Sequence, residues 1–185
     1  IVVAGLRHDR STSMVAGRPD EDSQATTKRG GLMYLFDGGL APYLSYSESF
    51  TPVAGTNLAG QRFVPLRGEQ VEIGLKWAPP GKDYSASVAL YELDETKRLV
   101  ADPTNPLNRL QVGKTRTRGA EVELIGRVLP GIDIAAHYNY TDIDDLLEPL
   151  PPHQAAVWGT HRFAIGDTAG FMAGLGVRYM SEFQA

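Results

Sequence analysis

Three histidines, a short acidic loop and a run of alternating cations are the residues best suited to chemistry in this chain. None of them spaces out as a catalytic set. His137, His153 and His161 are the metal-ligand candidates. His153 and His161 fall on what reads as one strand, about 26 Å apart at strand rise, so they cannot share an ion. Asp142, Asp144 and Asp145 form an acidic cluster. Calcium needs six to eight oxygens at set spacings, and that spacing is missing, so the cluster reads as a solvated loop tip. Gly174-Leu175-Gly176 carries Tyr179 where a dinucleotide fingerprint needs its third glycine, and no helix follows. No nucleophile elbow and no zinc-binding helix occur. The chain has no cysteine, which removes disulfides and thiolate metal sites. No catalytic residue, no metal site and no enzyme activity are expected.

The elements that position these residues are strands. Val71, Ile73, Leu75 and Trp77 alternate with Gln70, Glu72, Gly74 and Lys76. Leu44, Tyr46, Glu48 and Phe50 alternate with Tyr43, Ser45, Ser47 and Ser49. Successive side chains on a strand point to opposite faces, so a period of two separates an apolar face from a polar one. A dry core does not accept Glu72 and Lys76 cheaply; one face meets an apolar medium and the other meets water. Nine such strands are predicted, at 1–10, 26–36, 41–50, 69–77, 84–93, 112–128, 132–141, 154–163 and 171–180. The links between them alternate in length. Ser11–Ala25, Thr51–Gly68, Asp94–Gln111 and Asp142–His153 are long. Asp37-Gly38-Gly39, the stretch 78–83, Leu129-Pro130-Gly131 and the turn at Gly166-Asp167 are short. An up-and-down antiparallel sheet puts every second link on the same edge, and outer-membrane barrels have long loops on one edge and short turns on the other.

Composition agrees. With 185 residues and a net charge of −4, the chain is a poor nucleic-acid binder. Twenty glycines and twelve prolines interrupt any helical stripe. No apolar run approaches the ~20 residues of a membrane helix. A barrel needs none, because lipid-facing and lumen-facing residues alternate. Tyr34, Phe36, Trp77, Tyr84, Tyr138, Tyr140, Phe163 and Tyr179 gather near strand ends, as aromatics do at membrane interfaces.

Six segments carry a family resemblance. They are Ala4–Arg10 (AGLRHDR), Thr26–Pro52 (TTKRGGLMYLFDGGLAPYLSYSESFTP), Arg67–Gly81 (RGEQVEIGLKWAPPG), Thr117–Leu124 (TRGAEVEL), Pro151–Gly159 (PPHQAAVWG) and Gly174–Met180 (GLGVRYM). In this order they resemble the C-terminal barrel of the TonB-dependent siderophore receptors of Gram-negative outer membranes. His8 stands where that family usually has an aromatic. The resemblance implies an all-β, antiparallel up-and-down transmembrane barrel of about 22 strands, of which this chain holds about nine. The plug domain and TonB box are expected to lie outside residues 1–185. It further implies uptake of a ferric siderophore, with the iron held by the chelate and no protein cofactor. The partners would be the siderophore, the TonB complex, and outer-membrane lipid and lipopolysaccharide.

On this reading Arg62, Phe63, Arg67 and Arg109, taken as loop residues, face the anionic chelate. Glu72, Lys76, Glu121, Glu123 and Arg178 line the lumen and brace the plug. Lys114, Arg116 and Arg118 share the parity of Ala120, Val122 and Leu124, so they face outward toward lipopolysaccharide phosphates unless Gly119 hosts a bulge. The competing reading is a soluble all-β interaction or carbohydrate-binding module, in which the row from Val71 to Trp77 is buried inside a sandwich. Nine strands cannot close a wide barrel, so this segment is not expected to fold stably alone.

Overall fold

The computed structural model describes residues 1–14, 20–144, 150–166 and 168–182. Among them run eleven strands: β1 (Val2–Ser13), β2 (Glu21–Met33), β3 (Leu40–Thr51), β4 (Leu66–Trp77), β5 (Tyr84–Thr96), β6 (Leu99–Asp102), β7 (Asn105–Gln111), β8 (Lys114–Leu129), β9 (Ile132–Ile143), β10 (His153–Ile165) and β11 (Thr168–Met180). Nine form one open antiparallel sheet, in the order β1-β2-β3-β4-β5-β8-β9-β10-β11. The β6–β7 hairpin stands apart, inside the link between β5 and β8. The alternation of links holds. The joined ends of β2 and β3, β4 and β5, β8 and β9, and β10 and β11 lie on one edge; those of β1 and β2, β3 and β4, β5 and β8, and β9 and β10 lie on the other.

The register carries the two-faced pattern across the sheet. Leu44 is opposite Ile73, Ile73 opposite Leu90, Leu90 opposite Ala120, and Ala120 opposite Tyr140. Nothing covers this row: Ile73 is 58 % exposed, Leu90 56 % and Leu175 77 %. The sandwich reading fails here, because among the described residues no second sheet packs on the apolar face. Leaving that face to water would cost about 25 cal/mol for each Å², so it suits an apolar medium such as lipid. No helix of the described residues is long and apolar enough to cross a membrane. Aromatics mark both rims. Trp77 meets Tyr84, and Phe163 stacks on Phe171, each at 5.8 Å between ring centroids on the short-turn side. Tyr138 and Tyr140 gather around His153 on the long-link side.

Two features differ from the sequence expectation, the β1–β2 ribbon and an added hairpin, and the bulge left open at Gly119 is absent. β1 and β2 run on to Ser13 and from Glu21, beyond the predicted limits at 10 and 26. Polar side chains hold this ribbon: Arg10 and Thr12 both bind the Asp22 carboxylate, and His8 Nδ1 lies 3.0 Å from Thr26 Oγ1. A strand that is polar on both faces has no period to detect. Gly119 hosts no bulge; its register with Tyr91 and Thr141 is unbroken. The Tyr91 ring fills the space a Cβ would take there, and Tyr43 lies over Gly74 in the same way. In the nine-stranded sheet register shifts fall instead at Arg127/Leu129 and Phe163/Ile165. The β6–β7 hairpin was not predicted at all.

Candidate functional site

The polar face of the sheet carries the residues expected to line the lumen. One rung across the sheet reads Lys76, Ser87, Glu123, His137, Ala156 and Arg178, each opposite the next. Glu72 and Glu121 share that face. Tyr43 donates its hydroxyl to Glu72 Oε1 at 2.7 Å, and Gln70 Nε2 donates to Glu72 Oε2 at 3.1 Å. Lys76 Nζ sits 5.2 Å from the centre of the Tyr43 ring. All five residues read as lumenal share this parity. The alternation in sequence suffices to put them on one face, because no bulge interrupts it between Arg67 and Trp77 or between Thr117 and Glu123.

The four ligand-facing candidates separate. Arg62 and Phe63 lie in link 52–65, which folds on itself: Thr56 and Arg62 form a bridge, and Phe63 N donates to Gly55 O at 3.2 Å. Arg109 lies on β7 opposite Ala101. Link 52–65 and the hairpin touch, since Leu58 N donates to Asn108 Oδ1 at 3.1 Å. Arg67 is not a loop residue. It is the second residue of β4, opposite Phe50, and it shares the parity of Val71 and Ile73. Its guanidinium lies 5.7 Å from the centre of the Phe50 ring. The strand starts earlier than expected because pairing with Thr51 and Phe50 outlasts the alternation of apolar residues.

Lys114, Arg116 and Arg118 do share the parity of Val122, as expected. What sequence reasoning missed is that β5 answers them. Arg116 grips Asp94 with two bonds, at 2.7 and 3.0 Å, and Lys114 reaches Asp94 at 2.9 Å. Arg118 Nε donates to Glu92 at 2.8 Å. The available signal was that Glu92 and Asp94 continue the row of Val88 and Leu90. The three cations therefore belong to an outward ladder of alternating charge.

The histidines do not converge: His137 is on the inner face, whereas His153 and His161 are on the outer parity toward opposite ends of β10. Asp142 pairs with Arg118 across the β8–β9 ladder, and Asp144 N donates to Arg116 O; Asp145 lies outside the described residues. Among the described residues no three His, Asp or Glu side chains form a metal-ligand group.

The hairpin tip has its own lock. Asp102 Oδ1 accepts from Thr104 N at 2.9 Å and Thr104 Oγ1 at 2.7 Å, and Oδ2 accepts from Asn108 Nδ2 at 2.8 Å. The Thr104 hydroxyl first, then Asn108, hold the Asp102 carboxyl below its ordinary value of 3.8. A carboxyl whose folded value is depressed supports the fold above its unfolded value and withdraws that support as pH falls through the folded one. The Thr104 amide is expected to lose its protection from hydrogen exchange in that acid window. Asp102→Ala should remove the protection at neutral pH; unchanged protection in that variant would refute the lock.

Comparison with known proteins follows this geometry. Residues 1–184 match the family model described as TonB dependent receptor-like, beta-barrel. The chain is 34% identical over 193 residues to the ferrichrome outer membrane transporter/phage receptor of Escherichia coli K12, covering 97% of this chain and 26% of that protein. It is 33% identical over 193 residues to the ferrioxamine B receptor of Salmonella typhimurium LT2, covering 96% and 27%. Among solved structures it superposes on the alcaligin outer membrane receptor FauA of Bordetella pertussis with a TM-score of 0.73. The identity there is 22%, over 97% of this chain and 34% of that one. The chain thus spans about a quarter of the length of these two curated relatives.

Proposed function

Since this chain belongs to the TonB-dependent receptor-like β-barrel family, an outer-membrane family of transporters rather than enzymes, we propose that it forms wall and extracellular loops of a TonB-energised ferric-siderophore receptor. The observation that carries the reading is the apolar row held in register across the nine-stranded sheet, with long links on one edge and short turns on the other. The whole receptor closes into a barrel of about 22 strands around a plug, through which TonB acts.

The loops capture the chelate. Arg62, Phe63 and Arg109 offer cations and an aromatic ring to an anionic, partly aromatic ligand. Arg67, seated on the outward parity of β4, contributes only where the loop above it folds back. Glu72, Lys76, Glu121, Glu123 and Arg178 present hydrogen-bonding groups to the plug and keep the lumen wet. Lys114, Arg116 and Arg118 face the lipopolysaccharide layer, where their bonds to Glu92 and Asp94 moderate any pairing with phosphate. The iron travels inside the siderophore, so the wall needs no ligands of its own.

The test is uptake. The gene product that carries this segment is produced in a Gram-negative host lacking its hydroxamate and catecholate receptors, with and without a working TonB system. The names of the two relatives supply the probes, radiolabelled ferric ferrichrome and ferric ferrioxamine B. TonB-dependent uptake of either is the expected result. Replacing Arg62 and Arg109 together by Ala should raise the half-saturating concentration about tenfold, the loss of charge-assisted hydrogen bonds. A product found in the aqueous fraction would overturn the proposal.

A further inference from the structure

Gln111, the last residue of β7, ties two other stretches of chain to its own. Its Oε1 accepts from Val64 N at 2.9 Å, and its Nε2 donates to Val64 O at 2.7 Å and to Lys97 O at 2.9 Å. The two bonds to Val64 are those a neighbouring strand would make, with a side-chain amide standing in for a backbone one. Both donors of the amide nitrogen are used. Lys97 lies at the neck of the hairpin, where Lys97 N donates to Val112 O at 3.1 Å and Val112 N to Arg98 O at 2.9 Å. Its φ is 66°, a left-handed conformation rare for lysine, and the bond from Gln111 falls on its carbonyl.

A second bond reaches the far end of the same link. Leu58 follows Asn57 in a turn closed by Gly60 N donating to Asn57 O at 2.9 Å, and Leu58 N is the group that Asn108 binds. Link 52–65 is thus tied at its tip and on its returning limb, each time by a hairpin side chain.

We propose that Gln111 is a positioning residue that latches link 52–65 to the β6–β7 hairpin, so that the two longest described links move as one body. Two independent loops would have to be ordered when a ligand arrives; a latched pair is ordered beforehand. The latched body carries Arg62 and Phe63 on one member and Arg109 on the other. Its consequence for binding rests on the siderophore reading above; the latch itself does not.

The experiment uses the whole gene product in outer-membrane vesicles, with nitroxide labels at Ala59→Cys and Leu107→Cys and distances read by double electron–electron resonance. The unaltered Gln111 protein should give one narrow distance distribution. Gln111→Leu, which loses every bond, and Gln111→Glu, which keeps the acceptor but loses both Nε2 donors, should each add a longer component. Heat-modifiable mobility on a gel confirms that the barrel is folded in both. A distribution as narrow in Gln111→Leu as in the parent overturns the latch.

For ferrichrome or ferrioxamine B, whichever the parent takes up, Gln111→Leu should weaken apparent affinity about tenfold with the maximal uptake rate unchanged, since only the competent fraction falls. A lower maximal rate at unchanged affinity overturns the positioning role. If the parent transports neither chelate, the capture reading fails, and the ligand-free distances still decide the latch.

Discussion

Arginine at Val88 is expected to destabilise the membrane-embedded barrel by about 2–4 kcal/mol, and arginine at the adjacent Ser87 by far less. Val88 lies mid-way along the outward row of β5, between the rim aromatic Tyr84 and the charged Glu92. Its cross-strand neighbours are Leu75 and Val122. A guanidinium there has only lipid and aliphatic side chains around it. Ser87 is one residue away and faces the opposite side, between Lys76 and Glu123. An arginine at Ser87 finds a carboxylate and water on the inner wall. The two substitutions differ in face and in nothing else of consequence. Urea unfolding of the whole receptor in lipid vesicles measures the difference. Equal losses at both positions would mean that the apolar row does not face lipid.

The second large effect concerns Gly126. Its φ is 126°, a region closed to residues with a Cβ. A Cβ there would overlap the Asp83 carbonyl oxygen and lie 2.6 Å from Tyr84 Cα. The crowding cannot be relieved by a rotamer, because both obstacles are backbone. Arg127 N donates to that same Asp83 oxygen at 2.8 Å, and the register shift follows at once between Arg127 and Leu129. Gly126→Ala should therefore unzip the short-turn end of the β5–β8 pair, at about 3 kcal/mol or more when strain and overlap are combined.

Two other glycines calibrate the result. Gly81 has φ 71° but open space around it, so Gly81→Ala should show the conformational cost alone, about 1 kcal/mol. At Gly159 a Cβ meets nothing within 4 Å, and Gly159→Ala should be neutral. The order of folded receptor recovered from the outer membrane should follow: Gly159→Ala, then Gly81→Ala, then Gly126→Ala. A Gly126→Ala receptor recovered at the parent level would show that this junction is not fixed.

Most of the wall was legible because lipid and water impose one rule on every strand. Wherever that rule acts, as from Val71 to Trp77 or from Ile132 to Tyr140, the alternation in sequence matches the observed faces. Legibility stops where the rule does. Past Arg10 and before Thr26 both faces of the β1–β2 ribbon are polar, and only pairing of Arg10 and Thr12 with Asp22 reveals the strands. The β6–β7 hairpin carries Pro106 and is held by Asp102, Asn108 and Gln111, whose partners lie up to 50 residues away or in an irregular turn. No local pattern encodes such bonds. Arg67 was misread because a strand can persist on pairing alone. Parity alone puts Glu72, Lys76, Glu121, Glu123 and Arg178 on one face, whereas the acids that face Lys114, Arg116 and Arg118 require the β5–β8 register, which composition does not give.

Strand order in the sheet follows chain order, with the one hairpin insertion kept wholly inside a link. Each strand therefore pairs across a single link, and the entropy of closure stays modest at every step. The same arrangement bears on how such walls diverge. A pair of neighbouring strands with its turn is a self-contained unit, and a lineage can gain or lose one without rethreading the others, changing the girth of the pore in even increments. The long links are freer still: a hairpin such as β6–β7 can be inserted, lengthened or exchanged while every rung of the wall keeps its partners, so recognition at the rim can drift under selection while the lipid-facing surface stands unchanged.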